Sequence, residues 1–131
     1  MKKLSKFVVA VVALTVLFGT LGFAKDVSDY DQYLINALKD DNHGIRTSAA
    51  QLLGERRVEA AVKPLLKMLK TENKYACRII VAKALYDIGD KRALPELKKV
   101  AKFDRNKTVR RVVTAIVKEM QTVRVAQKIT R

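Results

Sequence analysis

Few side chains in this 131-residue sequence could catalyse a reaction. His43 is the only histidine, Cys77 is the only cysteine, and the serines after residue 24 are Ser28 and Ser48. None of them belongs to a nucleophile motif, a metal-ligand cluster or a glycine-rich phosphate loop. We therefore expect no catalytic, metal-binding or cofactor-binding residues and no enzyme activity. His43 is interpreted as a solvated residue at a helix start, and Cys77 as a small buried apolar residue rather than a reactive thiol.

Charged side chains, by contrast, recur at a fixed spacing of 32 residues. One column contains three arginines: Arg46, Arg78 and Arg110. A second column contains three carboxylates: Glu55, Asp87 and Glu119. These carboxylates lie near predicted helix C-termini, where the helix dipole disfavours anions. We therefore predict a structural ladder in which each arginine reaches a carboxylate of a neighbouring repeat. The alternative is that the arginines bind an external anion.

Positive charge is concentrated in residues 98–131, which hold eleven basic and two acidic side chains, whereas residues 25–97 hold thirteen and eleven. Five aspartates between residues 26 and 41 make the opposite end acidic. A basic surface predicts an anionic partner, although it also fits a solvated face that aids solubility. The candidate binding surface consists of nine side chains: Lys98, Lys99, Lys102, Arg105, Lys107, Arg111, Lys118, Arg124 and Lys128.

Several classes of partner fit this charge distribution. An unidentified protein, an anionic envelope polymer or lipid headgroups could bind the basic end, and the oppositely charged ends allow weak head-to-tail self-association. Nucleic acid is disfavoured, because residues 25–131 contain no tryptophan, one phenylalanine and four tyrosines, too few for an obvious base-stacking surface.

The spacing of apolar residues predicts the helices that position these side chains. Three segments, beginning at residues 42, 74 and 106, carry apolar residues at helical intervals. Leu53 and Leu85 share one column of this alignment and are expected in the core. Polar side chains are predicted to cap the three helices: Asp41 or Asn42, Asn73 and Asn106.

A second helix is predicted after each of the first two. Residues 60–69 and 93–100 each carry a proline near their start, and the two prolines, Pro64 and Pro95, align with a one-residue offset from the main period. Residues 33–39 fit the same second-helix pattern. The tail after Met120 has no clear helix or strand period.

The sequence also resembles a known helical-repeat family. Residues 86–97 are similar to the helix-turn-helix signature of the HEAT-repeat superfamily, in the short subtype first noted in phycobilin lyases, and Ile45-Arg46 and Val109-Arg110 resemble its helix openings. Residues 55–58 depart from the family's Gly-Asp-like turn. The resemblance implies an all-α fold, a short α-solenoid of about five to six antiparallel helices arranged as HEAT- or ARM-like hairpins. HEAT-like proteins mostly act as binding scaffolds.

The first 24 residues have the layout of a secretory signal peptide. Three lysines at residues 2, 3 and 6 precede an apolar run over residues 7–18, and Gly22-Phe23-Ala24 suits cleavage before Lys25. The alternative is an uncleaved membrane anchor. Both alternatives place the rest of the chain outside the cytoplasm. Cleavage predicts an exported protein that is periplasmic or secreted, whereas an uncleaved segment would retain it at the membrane.

The predicted organisation is therefore a signal peptide at 1–24 followed by a HEAT-like domain at 25–131. The domain divides into four units: a half repeat at 28–40, repeats at 41–70 and 71–102, and a partial repeat at 103–131.

Two non-catalytic functions remain open. The first is an exported scaffold or adaptor that binds a protein in the groove lined by the second helices. The second is an electrostatic adaptor that binds an anionic envelope polymer or lipid surface through the basic C-terminal third. The salt dependence of binding distinguishes the two functions, because salt weakens electrostatic binding to an anionic surface far more than binding of a protein in the groove.

Overall fold

The computed structural model describes residues 26–130, which form six α-helices and no strand. The helices are α1 (Asp29–Ala37), α2 (His43–Glu55), α3 (Val62–Thr71), α4 (Tyr75–Ile88), α5 (Leu94–Phe103) and α6 (Lys107–Ile129). Short 3-10 turns at Glu59–Ala61 and Lys91–Ala93 lead into α3 and α5. The predicted all-α class with five to six helices is confirmed.

The predicted signal peptide and its cleavage site lie outside the described residues. Within residues 26–130, no helix combines the length and the apolar character of a membrane span.

The helices pair into three hairpins that stack as a short solenoid. α1 packs on α2, α3 on α4 and α5 on α6, and the hairpins are joined because α4 contacts both α2 and α6. The core fills the spaces between these helices with apolar side chains, of which Leu53, Leu65, Leu85, Leu97 and Val113 are completely buried. The expected core positions Leu53 and Leu85 are therefore confirmed.

Small side chains bring α2 and α4 close together. Ala50 and Ala82 are completely buried at equivalent repeat positions. A Cβ added to Gly54 would lie 2.7 Å from the Cα of Ala84, a distance that real Cβ contacts essentially never show. A glycine at position 54 therefore lets the two helices approach without a clash.

The turns after α2 and α4 both use a left-handed backbone. Gly89 is the residue that follows and caps α4, with φ of 75°. Arg57 lies 32 residues earlier and has φ of 53°. The sequence of residues 55–58 departs from the family pattern, but the backbone conformation is kept, and an arginine adopts it at a steric cost of roughly 1–2 kcal/mol.

Two of the three predicted asparagine caps are present. The Asn42 and Asn106 side chains each accept a hydrogen bond at 2.8 Å from a backbone N–H in the first turn of their helix. The prediction for Asn73 is wrong, because Lys74 holds the N-cap position of α4 and makes no side-chain capping bond. The loop before α4 is held by the Glu72 carboxylate, which accepts a hydrogen bond from the Lys74 N–H at 3.1 Å, as Asp40 and Asp104 do in the other two loops.

The second helices keep the 32-residue period without an offset. α3 and α5 begin at Val62 and Leu94, and the completely buried Leu65 and Leu97 follow at the same position in each helix. The one-residue offset inferred from the two prolines is therefore wrong. Proline is tolerated in the first turn of a helix, so its position marks the start of a helix only approximately.

The tail after Met120 is helical and continues α6 to Ile129. Its side chains are all exposed, whereas the buried residues of α6, ending with Val117, lie in the first half of the helix. The tail showed no helical period because no neighbouring helix requires an apolar face there. Residues with good helix propensity, including Arg124 and Ala126, continue the helix instead.

Candidate functional site

The column arginines join successive hairpins through carboxylates in the loops. Arg78 of α4 makes a bidentate pair with Asp104, in which Nε to Oδ2 and Nη2 to Oδ1 are both 2.8 Å. The two side chains are only 5% and 8% exposed. Arg46 of α2 pairs with Glu72 through one carboxylate oxygen, with Nη2 2.7 Å and Nε 3.2 Å from Oε2. Each pair fastens one hairpin to the loop of the next.

Each of the three arginines also donates hydrogen bonds to backbone carbonyl oxygens in the loop before its own helix. Arg78 Nη1 donates to the carbonyl oxygens of Glu72 and Asn73, at 3.2 and 2.9 Å. Arg46 and Arg110 make the same kind of bond to the loops before α2 and α6. The guanidinium fork can make these bonds and the carboxylate pair at once because its five N–H groups are held in a fixed plane.

The environment keeps both loop carboxylates ionised. Burial opposes ionisation of Glu72 and Asp104, but hydrogen bonds from the arginines and from the backbone N–H two residues further on outweigh it. The net effect lowers the pKa of both carboxyl groups below their ordinary values. A paired carboxylate that is ionised at neutral pH suits a structural role of this kind.

The carboxylate partners predicted for these arginines are wrong. The three predicted carboxylates bind other side chains: Glu55 binds Gln51, Asp87 binds Lys83 and Glu119 binds Tyr86. Glu55 lies nine residues beyond Arg46, about 14 Å along the helix at the α-helical rise per residue. Because α2, α4 and α6 run in the same direction, the arginine column and the predicted carboxylate column lie too far apart to meet.

All nine side chains of the predicted basic surface are exposed. The structure distributes them over α5, the next loop and two stripes of α6: Lys98, Lys99 and Lys102; Arg105; Lys107, Arg111 and Lys118; Arg124 and Lys128. They therefore form several basic strips around the hairpin α5–α6 rather than one patch.

A groove of about 380 Å³ lies between α3 and α5. Phe103, in the last turn of α5, lines this groove and is 72% exposed. The Lys102 ammonium lies 5.0 Å from the centroid of the Phe103 ring, and Lys70 of α3 reaches across to Glu96 of α5 at 3.4 Å. The groove thus presents an accessible aromatic ring among basic side chains, an arrangement that can hold an apolar group flanked by negative charge.

Phe103 is a candidate binding residue that sequence analysis did not single out. The repeat alignment places it in the same column as Lys39 and Thr71, which are polar and exposed. A large aromatic residue in a column that is otherwise polar was therefore the available signal. Isolated exposed apolar residues are common on proteins, so its position inside the groove is what distinguishes it.

The remaining reactive residue types have ordinary surroundings. Cys77 is buried as expected and forms no disulfide. His43 is exposed at the start of α2, with Nε2 2.9 Å from the Lys74 ammonium. No group of three or more His, Cys, Asp or Glu side chains in residues 26–130 is arranged to hold a metal ion. Every buried side-chain nitrogen or oxygen of that region has a hydrogen-bond partner.

A family model for HEAT repeats matches residues 32–117, more than half of the chain. No curated protein matches the sequence.

Proposed function

Because the chain belongs to the HEAT-repeat family, we propose that it is a non-catalytic scaffold that binds a segment of another protein in the groove between α3 and α5. HEAT repeats commonly mediate protein–protein interaction. The observation that carries the proposal is the exposed ring of Phe103 inside this groove. Accessible aromatic residues in grooves are frequent anchors of binding energy.

The side chains around the groove define the charge of the partner. Lys70, Lys99 and Arg105 line it together with Phe103. Glu96 lies between two lysines, 3.4 Å from Lys70 and 3.6 Å from Lys99, so its negative charge is compensated. The fitting partner is a segment with an apolar side chain next to aspartate or glutamate.

Replacing Phe103 with alanine tests this proposal. We expect Phe103→Ala to weaken binding by about tenfold or more, the effect of truncating an interface anchor, and to leave the fold intact. The partner is captured from an envelope extract of the native host, and its affinity for both forms is then measured by calorimetry.

Tyr33→Ala is the matched control, because Tyr33 is also an exposed aromatic residue but lies on α1, outside the groove. Equal affinities of the wild-type protein and Phe103→Ala for the captured partner would contradict the proposed groove.

We further propose that the protein is exported and belongs to the short phycobilin-lyase-type HEAT subtype, without lyase activity. The basic, apolar and small-residue layout of residues 1–24 supports cleavage before Lys25. N-terminal sequencing of the protein from its native host should therefore begin at Lys25. Recovery of an intact chain with Met1 from the cytoplasm would exclude export.

A second candidate function is electrostatic binding to an anionic envelope polymer or lipid surface. The nine exposed basic side chains of the predicted surface favour it. Sedimentation with vesicles containing phosphatidylglycerol, against vesicles of phosphatidylcholine alone, measures such binding. A steep loss of binding with salt that Phe103→Ala does not alter would support this function over the groove.

A further inference from the structure

One end of the hairpin stack carries a loop carboxylate without an arginine. Asp40 lies before α2 at the position that Glu72 holds before α4 and Asp104 before α6. Its carboxylate accepts a hydrogen bond from the Asn42 N–H at 2.8 Å, as the other two accept bonds from their own loops. Among residues 26–130, no arginine side chain pairs with the Asp40 carboxylate.

The other end of the stack carries an arginine without a carboxylate. Arg110 occupies the column of Arg46 and Arg78 and donates from Nη1 to the Asp104 carbonyl oxygen at 2.6 Å. Within the part of the chain that the structure describes, no carboxylate accepts a bond from its guanidinium. Within residues 26–130, the ladder therefore has a carboxylate without an arginine at the α1–α2 end and an arginine without a carboxylate at the α5–α6 end.

The two observed pairs give the register in which these two groups would meet. Each pair joins residues 26 positions apart, an arginine of one hairpin and the loop carboxylate of the next. A hairpin added after α5–α6 in this register would present its loop carboxylate to Arg110. We propose that this hairpin is α1–α2 of a second copy of the chain, so that copies stack head to tail and Arg110 pairs with Asp40 of the second copy.

The same register predicts a second charge pair. Within the chain, the Tyr86 hydroxyl on α4 donates to the Glu119 carboxylate on α6 at 2.7 Å. Lys118 occupies the repeat column of Tyr86, and Glu55 occupies the column of Glu119. The stack therefore brings the Lys118 ammonium to the Glu55 carboxylate of the second copy.

Arg105 adds no third pair, because its Nη2 donates to the Asn73 carbonyl oxygen of the preceding hairpin at 2.8 Å and so reaches away from the added hairpin. Both predicted pairs are of opposite charge, which fixes the direction and the register of stacking.

An apolar side chain at the α1–α2 end of the stack, Ile45, is more exposed than the side chains at the equivalent positions of the other repeats. Ile45 is 46% exposed, whereas Cys77 and Val109 in the same column, which have a preceding hairpin, are buried. Stacking would bury Ile45 in the same way. Thr114 and Lys118 on the opposing face are polar where the equivalent Ala50 and Gly54 are buried, so the interface is mainly polar and its affinity depends on salt.

Charge reversal tests the register. Lys118 and Glu55 are both exposed, so Lys118→Glu and Glu55→Lys leave the fold intact. Sedimentation velocity at low salt, on protein expressed from the complete sequence, should show association that grows with concentration for the wild type and collapses to monomer at about 0.5 M salt. Each single variant should raise the dissociation constant about threefold or more, and the double variant should restore it.

Lys67→Glu is the matched control, because it makes the same change of charge on α3, outside both end faces. It should leave association unchanged, and so should Phe103→Ala, which separates this inference from the proposed groove. A monomer at every concentration at low salt overturns the inference. If Lys67→Glu raises the dissociation constant as much as Lys118→Glu does, the proposed register is wrong. The register is also wrong if the double variant associates as weakly as the single variants.

Discussion

At the scale of single residues, the most demanding feature is the Arg78–Asp104 pair. Removing two charges from water costs several kcal/mol per ion, and only good geometry with further hydrogen bonds offsets that cost. The bidentate contact, the two carbonyl acceptors of Arg78 and the backbone N–H donor to Asp104 meet this condition. The pair therefore holds two hairpins in a fixed register, and losing one partner leaves the other charge buried.

Arg78→Ala is consequently expected to destabilise the protein by about 3–5 kcal/mol, the usual effect of leaving half of a buried pair. Urea denaturation followed by circular dichroism measures the change. Arg110→Ala is the matched control: its residue occupies the same column without a carboxylate partner in residues 26–130, and its loss should cost about 1 kcal/mol. If Arg78→Ala and Arg110→Ala lower the free energy of unfolding equally, the pairing of Arg78 with the Asp104 carboxylate does not stabilise the fold.

The lowered pKa values predict the acid response of the fold. Because the pKa of Asp104 and of Glu72 is lower in the folded protein than in the unfolded chain, unfolding binds protons. The stability from both groups is complete above their ordinary pKa values and is lost as pH falls through them toward the folded values. The free energy of unfolding should therefore decrease below about pH 5. A comparison of denaturation at pH 7 and pH 3.5 tests this, and Arg78→Ala should lose less stability over that interval.

At the scale of helices and turns, the two left-handed turns offer a matched comparison. Gly89 adopts its φ of 75° without steric cost, whereas Arg57 adopts φ of 53° with a Cβ in the unfavourable position. Arg57→Gly should therefore stabilise the protein by about 0.5–1 kcal/mol, and Gly89→Ala should destabilise it by about 1 kcal/mol. Thermal denaturation of both variants gives the two values. A loss of stability in Arg57→Gly would mean that contacts of the arginine side chain outweigh the backbone strain.

The helices themselves were predictable from the sequence because one face of each is apolar over several turns. Leu53 and Leu85 fell in the core for that reason. Prediction failed where local chemistry was ambiguous. Proline is tolerated at several positions of a first helical turn. Aligning Pro64 with Pro95 therefore gave a predicted position of α5 that is wrong by one residue relative to α3.

The candidate site was less predictable than the helices. Arginine side chains are long, and a sequence does not show which of several carboxylates they reach. Arg78 was assigned the wrong partner because the direction of the neighbouring helices, which the structure provides, decides that Asp104 is near whereas Glu55 and Glu119 of the neighbouring repeats are far. The groove around Phe103 depends on the separation of α3 and α5, which no periodicity in the sequence records.

At the scale of the whole molecule, the three hairpins depend on one another. α4 is the helix through which α2 and α6 are connected, and each hairpin alone has too little core to be stable. Leu85, completely buried on α4, is therefore a sensitive position for the entire fold.

Leu85→Ala is expected to cost about 2–5 kcal/mol and to unfold all three hairpins together rather than α4 alone. Hydrogen exchange measured residue by residue should show protection lost equally in α2 and α6. Val125→Ala is the control, because Val125 is exposed in the tail of α6 and its truncation should change stability by less than about 0.5 kcal/mol. Protection retained in α2 would show that the hairpins unfold separately.

The fixed contact between an arginine and the carboxylate 26 residues later has a consequence for how such a chain can lengthen. Residues 73–104 contain α4, α5, the arginine and its carboxylate, so this segment carries both members of one pair. A tandem duplication of its coding sequence would insert one further pair of helices together with its own arginine and carboxylate, and would leave the Arg46–Glu72 pair and the bond from Arg110 to its loop unchanged. Growth by whole segments of this kind requires no compensating mutation in either pair, whereas an insertion of another length between an arginine and its carboxylate would change their 26-residue separation.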